Sequence, residues 1–526
     1  PWTGRIRPFV AGLTLCGLLL AGCAPTLPPQ ADERDSYSAE VMATVLGAGL
    51  DIVESRYIEP VSAVDLAIGA LNGLGVMDPD FLAARDGNAI RIDLGGHALA
   101  AIPDVDHGDR VTLAVQLALA VEQAREASPI IRRASDEALL EALFDGMLAG
   151  LDVFSRYAGE AEAQRNRDQR DGFDGVGVSY RMRHGRPQVT VIMEGAPAAR
   201  QGLQAGDVLE AIDGHPTKGL TSIAVANLLR GEIGSKVTLT YRRGSLEPKA
   251  ITLTRIHIVP ETVTTAVEHG VIGFRLSSFN QETADRLAAR LKSERAKLGR
   301  GFMGVVLDLR GNPGGLLRQS VDVADLFLER GPIISTRGRH RDSLQFYEAG
   351  GRDIAEGRPL VILVDGRTAS AAEVVAAALQ DRGRAAVIGT TSFGKGTVQT
   401  VARLPNDGEL TLTWSRLVAP SGYVIHGLGV IPKVCLSDSA DMKAGLGSLT
   451  TARTEPPTSP WRTAAFEDKP SREAARSACP PEDREDPSDW QAAFKLIFNA
   501  NLYRRALDAQ PGNGPDAPQA AALPKD

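Results

Sequence analysis

Two kinds of apolar segment alternate along residues 260–436, and the alternation predicts a sheet covered by helices. Short continuous apolar runs, such as Gly304–Arg310 (GVVLDLR) and Pro359–Gly366 (PLVILVDG), are typical of buried strands. Longer segments with apolar residues on a helical period follow them, as in Ala371–Asp381 (AAEVVAAALQD). Strands that alternate with helices favour an α/β fold with a largely parallel sheet.

Residues 172–258 show a different pattern, in which short alternating strands are separated by turn signals. The first strand lies within Phe173–Tyr180 (FDGVGVSY), and the last lies near Ile251–Val259 (ITLTRIHIV). Turn signals at such short intervals are typical of β-rich domains. The sequence therefore predicts a β-rich unit that precedes the α/β core.

Residues 35–168 carry apolar residues at mixed helical intervals, which predicts a helical region. Asp65–Phe81 and Leu139–Tyr157 share the order helix, Gly-Leu, Asp, so either they form an internal near-repeat or the first is a duplicate of the second. Asn88–Pro103 between them predicts a small hairpin, and Gln164–Asp171 predicts a charged break. The pattern gives this region no function.

The chain changes character again after Leu436, where Pro, Ser and charged residues dominate. This composition predicts a linker over 437–488. Trp490–Leu507 then has the apolar spacing of an amphipathic helix, within a segment that spans 489–508. The last residues, 509–526, are predicted to be disordered.

One serine and one lysine within the α/β core are candidates for paired chemistry. Ser370 falls at the start of the predicted helix, where unpaired N–H groups favour developing negative charge. Lys395 falls in the loop after the next short strand, and burial would lower the pKa of its amine. A neutral amine beside a serine hydroxyl turns that hydroxyl into a nucleophile. Gln399 lies four residues after Lys395 on an extended run, so it can point the same way and hold the amine.

The same stretch also resembles a phosphate-binding loop. Gly389–Gly396 fits the spacing G-x-x-x-x-G-K, but Gly396 stands where the motif needs Ser or Thr to coordinate magnesium. The motif further requires a helix after the lysine, whereas the following TVQTVARL is a poor helix former. These two mismatches argue against a nucleotide-hydrolysing enzyme.

The segments TASAAEVVAAALQD, which contains Ser370, and SFGKGTVQ, which contains Lys395 and Gln399, resemble the two catalytic segments of the carboxyl-terminal processing (tail-specific) proteases. The resemblance extends over roughly 171–434 and includes the separation between Ser and Lys. It implies a crotonase-like α/β serine-protease core with a Ser-Lys dyad of Ser370 and Lys395, with Gln399 in support. It implies no metal and no other cofactor.

The resemblance also assigns the residues that would stabilise the reaction intermediate. Gly314 and Gly315, in the turn after Arg310, would donate N–H groups to an oxyanion together with Ala371. A plain glycine turn is the alternative for this motif when it stands alone. Glu373 and Asp381 match acidic positions of the family and would support the site, or else they are solvated acids on the helix face. Both readings remain open for the two acids.

The β-rich unit is similar to a PDZ domain. The run from Gly202 to Gly214 follows the pattern Gly-Leu-x-x-Gly-Asp-x-Leu-x-x-Ile-x-Gly. In PDZ domains a Gly-rich loop binds a C-terminal carboxylate and the peptide adds as a strand. Gly175, Val176, Gly177 and Val178 occupy that loop position here. The helix that contains Val225–Leu229 would flank the peptide groove.

The N-terminus has the order of a bacterial export signal. Arg5 and Arg7 precede an apolar run over Phe9–Leu20, which is short for a membrane span. Leu-Ala-Gly-Cys then ends at Cys23 and resembles a lipoprotein cleavage site, at which Cys23 would be lipidated. An ordinary signal peptide is the alternative. Ala24 after the cysteine indicates retention at the outer membrane, on the periplasmic side.

Four cysteines are present: Cys16 and Cys23 fall in the export segment, and Cys435 and Cys479 remain. An oxidising compartment allows these last two to form a disulfide, although the spacing does not require it. The formal net charge of −7 with mixed signs excludes a typical nucleic-acid binder. None of the 8 histidines lies in a catalytic motif, although His426 is near the core in sequence.

The sequence thus predicts an exported, lipid-anchored serine endopeptidase that acts on proteins and peptides with apolar C-termini. The alternative is a PDZ-bearing lipoprotein that binds partners without proteolysis. Control by a lipoprotein adaptor or by the N-terminal helices stays open, as does assembly into a homo-oligomer. The predicted organisation is signal peptide 1–22, tether 23–34, helical region 35–168, PDZ domain 172–258, protease core 260–436, linker 437–488, C-terminal helix 489–508 and tail 509–526.

Overall fold

The structure is a computed structural model that describes residues 38–103, 109–437, 462 and 465–507. The predicted signal peptide, the lipidation site Cys23, the tether and the tail 509–526 lie outside the described residues, as does much of the predicted linker. Within the described residues, no helix is both long enough and apolar enough to cross a membrane.

The N-terminal region combines helices with a small antiparallel sheet. Its elements are α1 (Ala39–Arg56), α2 (Ala63–Met77), β1 (Phe81–Asp86), β2 (Ala89–Leu94), β3 (His97–Ile102), α3 (Arg110–Ala127), α4 (Pro129–Arg133) and α5 (Asp136–Leu148). The hairpin that the sequence predicted is formed by β2 and β3, and β1 adds a third strand that was not predicted. The extra strand β1 buries Phe81 and Ala83 and exposes Leu82, so it follows the period of a strand.

The two similar stretches noted in the sequence form α2 and α5, which pack against each other. A side chain on Gly73 would collide with the carbonyl oxygen of Ala142, and one on Gly146 would collide with that of Gly69. The glycines therefore allow the two helix backbones to approach closely. The second stretch continues into a short strand that reaches the α/β core, as described below.

A charged helix, α6 (Glu160–Asp171), follows the short strand β4 (Arg156–Ala158). The sequence predicted a charged break at this place, which was wrong because long-range ion pairs hold the helix. Arg167 and Arg170 of α6 both pair with the buried Glu409. Asp168 pairs with Arg230 of the β-rich unit.

The β-rich unit is a compact sheet with one flanking helix. It comprises β5 (Phe173–Gly175), β6 (Val178–Arg183), β7 (Arg186–Ile192), α7 (Pro197–Arg200), β8 (Val208–Ile212), β9 (His215–Pro216), α8 (Ser222–Leu229), β10 (Lys236–Arg242), β11 (Lys249–Thr254) and β12 (Ile256–Ile258). Its strands have the order β11-β10-β8-β7-β6, and β5 pairs separately with β12.

The α/β core contains two sheets. Its elements are β13 (Val263–Glu268), β14 (Val271–Leu276), α9 (Thr283–Leu298), β15 (Gly304–Asp308), α10 (Leu317–Asp325), β16 (Gly331–Arg337), β17 (Gln345–Ala349), β18 (Leu360–Val364), α11 (Ala371–Asp381), β19 (Ala386–Gly389), β20 (Thr397–Arg403), β21 (Glu409–Val418) and β22 (Val434–Cys435). The larger sheet has the order β13-β14-β15-β18-β19-β22 and is parallel from β14 onward.

The second sheet has the order β17-β16-β21-β20, and β4 from the N-terminal region pairs with β21. The N-terminal region thus adds a strand to the core, so the β-rich unit is an insertion between two parts of one structure. Every residue of β15 and of β18 is buried, because helices cover both faces of the larger sheet.

The C-terminal segment packs on the core. Its helices are α12 (Lys469–Ser477), α13 (Ser488–Phe498) and α14 (Ala500–Ala506). The predicted linker therefore contains a helix in its described part, and the single predicted C-terminal helix is two. Asn499 separates them because its side chain accepts hydrogen bonds from the N–H groups of Asn501 and Leu502, as a helix N-cap does.

Candidate active site

Ser370 stands at the N-cap of α11, immediately after a tight turn that leaves β18. Its φ of 55° lies in the left-handed region, which is uncommon for a residue with a side chain. Asp365 and Thr368 fix the turn, because the Thr368 N–H donates to Asp365 Oδ1 at 2.9 Å and the Asp365 N–H to Thr368 Oγ1 at 3.0 Å. Strain of this kind on a strand-to-helix turn presents a nucleophile clear of its helix.

Glu373 connects the backbone of Ser370 to the loop that carries Lys395. One carboxylate oxygen accepts the Ser370 N–H at 2.7 Å, and the other accepts Ser392 Oγ–H at 2.5 Å and the Gly394 N–H at 2.8 Å. Burial raises the pKa of Glu373 to about 7, against these hydrogen bonds, which lower it. The side chain is fully buried, so it is not the solvated acid of the alternative interpretation.

Lys395 lies against an aromatic ring from the N-terminal region. Its Nζ is 4.8 Å from the centre of the Phe154 ring, within the range of a cation–π interaction. Burial lowers the pKa of Lys395, the positive charge of Arg156 lowers it further, and the carboxylates of Asp152 and Glu373 oppose both effects. Among the described residues, no hydrogen bond joins Lys395 to Ser370.

Gln399 does not hold the lysine amine as the sequence predicted. Its Nε2 donates to Thr397 Oγ1 at 2.9 Å and to Thr413 Oγ1 at 3.3 Å. The prediction assumed an unbroken extended run, but the register of β20 shifts between Val398 and Gln399. A bulge of this kind redirects the side chains beyond it.

Asp152 and Phe154 are the site residues that the sequence analysis missed. Asp152 Oδ1 accepts the N–H groups of Phe154 and Ser155 at 2.7 and 3.0 Å, and it also accepts Thr413 Oγ1–H at 3.1 Å. These bonds fix the segment after α5 on β21, so that the Phe154 ring faces Lys395. The signal was present in the second of the two similar stretches, which ends in Gly-Leu-Asp before Phe154.

The glycine turn predicted to form an oxyanion hole lies beside Ser370. A Cβ on Gly314 would come within 2.8 Å of Ser370 Cβ and 3.0 Å of the Ala371 nitrogen. The Gly314 N–H, however, already donates to Asn312 Oδ1 at 2.8 Å. Among the described residues, no acceptor takes the N–H of Gly315 or of Ala371, so these two donors are available. Gly314 instead gives room to Ser370.

Asp381, at the end of α11, is buried and paired. Its Oδ2 accepts the Ser421 N–H at 2.9 Å and Ser421 Oγ–H at 2.6 Å, and its Oδ1 lies 3.0 Å from Nε of Arg462. It supports the turn after β21 and does not contact Ser370. The interpretation of Asp381 as a solvated acid is therefore wrong.

Neither of two rival catalytic arrangements has structural support. β20 follows Lys395 where a phosphate-binding loop would need a helix. The His426 ring packs at 6.3 Å from that of Phe154 and at 6.4 Å from that of Phe466, and burial lowers its pKa. No described hydrogen bond joins His426 to Ser370.

Among the described residues, no cluster of His, Cys, Asp and Glu has the arrangement of a metal site.

Cys435 at the end of β22 forms a disulfide with Cys479, which follows α12. The bond joins the edge of the larger sheet to the segment that the sequence predicted as a linker. The pairing that the sequence left open is therefore present in the structure.

A groove in the β-rich unit lies between β6 and α8. Its lining residues are Phe173, Gly175, Val176, Gly177, Val178, Tyr180, Ala226, Leu229 and Arg230. All four predicted loop residues are among them. The positive φ of Gly177, 79°, suits a loop that turns into β6. At the other end of the groove, Tyr180 donates from its hydroxyl to the Ser222 carbonyl at 2.7 Å and so ties β6 to α8.

Comparison with known proteins agrees with this layout. A model described as Peptidase family S41 matches residues 270–436, and one described as PDZ domain matches residues 188–243. The carboxy-terminal-processing protease of Bartonella bacilliformis is 39% identical over 302 residues, which cover 57% of this chain and 70% of that protein. This chain belongs to the carboxy-terminal-processing protease family. It is therefore a serine-type peptidase of family S41 with a PDZ domain.

Other family members are more distant. The carboxy-terminal processing protease CtpA of Bacillus subtilis is 31% identical over 310 residues, covering 58% of this chain and 66% of that protein. A probable CtpA-like serine protease of Staphylococcus saprophyticus is 32% identical, and the match covers 58% of this chain and 62% of that protein. The matched region thus spans 62% to 70% of the length of these three relatives.

Solved structures of the family also resemble the chain. The photosystem II D1 C-terminal processing protease is 26% identical, covers 75% of this chain and 92% of its own, and gives a TM-score of 0.37. The PDZ domain of a carboxy-terminal protease from Vibrio cholerae, solved with a peptide, is 24% identical, covers 16% of this chain and 96% of its own, and gives a TM-score of 0.16.

Proposed function

We propose that this protease is an exported, lipid-anchored endopeptidase that cleaves substrates with apolar C-termini by a Ser370–Lys395 dyad. The observation that supports the dyad most strongly is the bridge through Glu373. One carboxylate fixes the backbone of Ser370 and also the loop of Lys395, at hydrogen-bond distances of 2.5 to 2.8 Å. The two loops therefore cannot shift relative to each other without breaking buried hydrogen bonds.

The first step is proton transfer within the dyad. The Lys395 side chain rotates from Phe154 toward Ser370, and its neutral amine takes the proton from Ser370 Oγ as that oxygen attacks the scissile carbonyl. The lowered pKa of Lys395 favours the neutral amine that this step needs.

The carbonyl oxygen becomes an oxyanion in the tetrahedral intermediate. The N–H groups of Gly315 and Ala371 stabilise it, and the positive end of the α11 dipole adds to the effect. The Lys395 ammonium then gives its proton to the leaving amine, and the C–N bond breaks. Water attacks the acyl ester and loses a proton to Lys395, and the Lys395 ammonium returns this proton to Ser370 Oγ as the ester C–O bond breaks and the new C-terminus is released.

The PDZ domain supplies substrate recognition in this proposal. A substrate tail adds as a strand along β6, with its carboxylate at the loop of Gly175, Val176 and Gly177. The apolar side chains of Val178, Ala226 and Leu229 in the groove favour an apolar last residue.

The proposal places the protein on the periplasmic side of the outer membrane, anchored through Cys23. It rests on the order of charged, apolar and Leu-Ala-Gly-Cys segments over residues 1–23. The Cys435–Cys479 disulfide supports an oxidising compartment.

The domain bounds are part of the same proposal. We assign the PDZ domain to 172–258 and a crotonase-like protease core to 260–436, with the helical region 35–168 before them. The pairing of β4 with β21 supports a close association between that helical region and the core.

Digestion of an unstructured protein with an apolar C-terminus tests the proposal. The full-length protein in detergent is compared with its Ser370→Ala and Lys395→Ala variants, with EDTA present and ATP absent. Ser245→Ala and Lys433→Ala, at positions outside the site, are the matched controls. The dyad predicts cleavage by the parent and both controls, and by neither of the two site variants.

The second substrate is the same unstructured protein with two aspartates at its C-terminus in place of the apolar residues. If the parent cleaves this substrate more slowly than the first one, the result supports recognition of an apolar tail. Cleavage that survives either Ser370→Ala or Lys395→Ala contradicts the dyad. If the parent binds the tailed substrate but never cleaves it, the binding-module alternative replaces the proposed activity.

A further inference from the structure

The helix α12 lies across the loop that carries Lys395, although it falls outside the region matched by the family model. The Arg476 guanidinium donates to the carbonyl oxygens of Ser392 and Phe393 at 2.9 and 3.0 Å, and to that of Leu428 at 2.9 Å. Two of these three acceptors belong to the lysine loop itself, Ser392–Gly396.

Glycines leave space for this guanidinium. A Cβ on Gly429 would lie 3.0 Å from Arg476 Nη1, and a Cβ on Gly394 would lie 3.4 Å from it. The lysine loop and the neighbouring segment, residues 424–429, therefore surround the Arg476 guanidinium. Because this guanidinium is partly buried, leaving it without hydrogen-bond partners would cost free energy.

Arg472, one helical turn earlier on α12, binds the neighbouring segment in the same way. It donates to the carbonyl oxygens of Val424 and His426 at 2.8 and 2.6 Å. That segment is in turn bonded to the lysine loop, since the Gly427 N–H donates to the Gly394 carbonyl at 2.9 Å.

The lysine loop is thus held from two sides. Glu373 accepts Ser392 Oγ–H and the Gly394 N–H, whereas Arg476 donates to the Ser392 and Phe393 carbonyls. The carboxylate belongs to the helix of the nucleophile and the guanidinium to the C-terminal segment. Loss of either partner frees one side of the loop.

The position of α12 depends on a covalent anchor at its end. Cys479 is bonded to Cys435, and its carbonyl accepts Thr391 Oγ–H at 2.5 Å. The Glu482 carbonyl also accepts the Gly366 N–H at 2.7 Å. These contacts place the chain after α12 on the residues that directly precede the lysine loop and the Ser370 turn.

We propose that Arg476 is a positioning residue for Lys395, and that the Cys435–Cys479 disulfide keeps Arg476 in place, so that full activity requires the oxidised protein. The inference rests on the proposed role of Lys395 as the general base. A dithiol would break the bond to give two thiols and would itself become a cyclic disulfide. The loop would then retain its contact with Glu373 and lose the one with Arg476.

The test compares Arg476→Gln, Arg476→Lys and the matched control Arg484→Gln in the full-length protein. Arg484 lies in the same segment but donates to the Leu436 carbonyl, away from the lysine loop. We expect kcat of Arg476→Gln to fall about 100-fold, because small displacements of catalytic groups cost that much. The KM should stay within about 2-fold, since the groove proposed for the substrate tail is lined by residues of the β-rich unit. Arg476→Lys should recover part of the loss and Arg484→Gln should stay near the parent.

The pH dependence of kcat/KM gives a readout that a merely structural role would not move. Release of the loop admits water to Lys395, so the pH of half-maximal activity should rise in Arg476→Gln. Arg156, Asp152 and Glu373, the charged groups that act on Lys395, are unchanged in this variant. Dithiothreitol on the parent should reproduce the fall in kcat, and reoxidation should reverse it.

Each failure has a distinct signature. If Lys395→Ala is inactive while Arg476→Gln keeps the parent kcat and pH profile, the inference fails and the dyad stands. If Arg476→Gln and Arg484→Gln lose activity and melting temperature equally, Arg476 serves general stability, and the inference fails as well. An unchanged kcat after verified reduction of the disulfide overturns the anchoring step. If Lys395→Ala still cleaves, the proposed function fails first.

Discussion

The Nζ of Lys395 lies 4.8 Å from the centre of the Phe154 ring, so a residue of the N-terminal region covers the proposed general base. The ring stabilises the ammonium form by the cation–π interaction, and it also excludes water, which favours the neutral amine. The two effects oppose each other. The N-terminal region therefore takes part in setting the protonation state of Lys395.

Phe154→Leu separates these two effects, because leucine keeps an apolar side chain and removes the π face. A cation–π interaction stabilises the ammonium form by about 0.5–2 kcal/mol, so its loss lowers the pKa of Lys395. The ascending limb of the kcat/KM profile, which reports loss of the proton from Lys395, should move to lower pH in this variant. Phe154→Tyr keeps the ring and should leave the profile in place. An upward movement in Phe154→Leu would show that exclusion of water dominates.

Glu373→Gln should change how stability depends on pH. The folded-state pKa of Glu373 is about 7, above its unfolded value of 4.5, so the folded state binds the extra proton between these values. The stability that this proton confers is complete below pH 4.5 and is lost as the pH rises through 7. The change amounts to about 3 kcal/mol for this difference in pKa.

The measurement is the melting temperature of the parent minus that of Glu373→Gln, taken at pH 5 and at pH 8. This difference should become smaller, or more negative, at pH 8, because only the parent loses the contribution of the proton. The other titrating groups affect the melting temperatures of both proteins alike, so their effect cancels in this difference. The same difference at both pH values would contradict a raised pKa for Glu373.

Gly314→Ala should reduce catalysis through crowding at the nucleophile. The new Cβ would lie 2.8 Å from Ser370 Cβ, and the φ of 105° at this position disfavours any side chain. We expect kcat to fall about 100-fold, because a displacement of Ser370 by about 1 Å costs that much, while binding of a tail peptide is unchanged. Gly299→Ala is the control, since its φ is also positive, 51°, but its Cβ would meet no atom within 4 Å. Equal losses in both variants would assign the effect to backbone strain alone.

Ala226→Phe should block the peptide groove, because Ala226 lines it. The KM for a protein with an apolar tail should rise at least about 10-fold, while kcat/KM for a short peptide that lacks the tail stays near the parent value. Asn227→Phe adds the same ring to the exposed side of α8 and should leave both constants unchanged. A short-peptide rate that falls with Ala226→Phe would show that the groove also affects the protease core.

The local pattern of the sequence was sufficient for much of the core. Continuous apolar runs predicted β15 and β18, because central strands of a parallel sheet are buried on both faces. The helical period of apolar residues predicted α11, because a helix that covers such a sheet buries an apolar face. Ser370 and Lys395 were selected from their motifs, and the structure places both at the ends of the expected elements. Their catalytic roles remain predictions.

The tertiary structure alone decided what surrounds these two residues. The Gln399 side-chain amide donates to Thr413 Oγ1 because of a bulge in β20. The Gly314 N–H donates to Asn312 Oδ1. Neither outcome has a signature in the spacing of residues along the chain.

Two charged segments show most clearly that residue spacing does not reveal tertiary contacts. The residues around Arg167 and Arg476 have the composition of a break and of a linker, yet they form helices that bind Glu409 and the lysine loop. A charged side chain gains its partner only when distant segments meet, and its free energy depends on that partner and on burial. The sequence by itself therefore determined the apolar framework and the places of Ser370 and Lys395 on it, whereas the tertiary structure decided which charged and aromatic side chains surround these two residues.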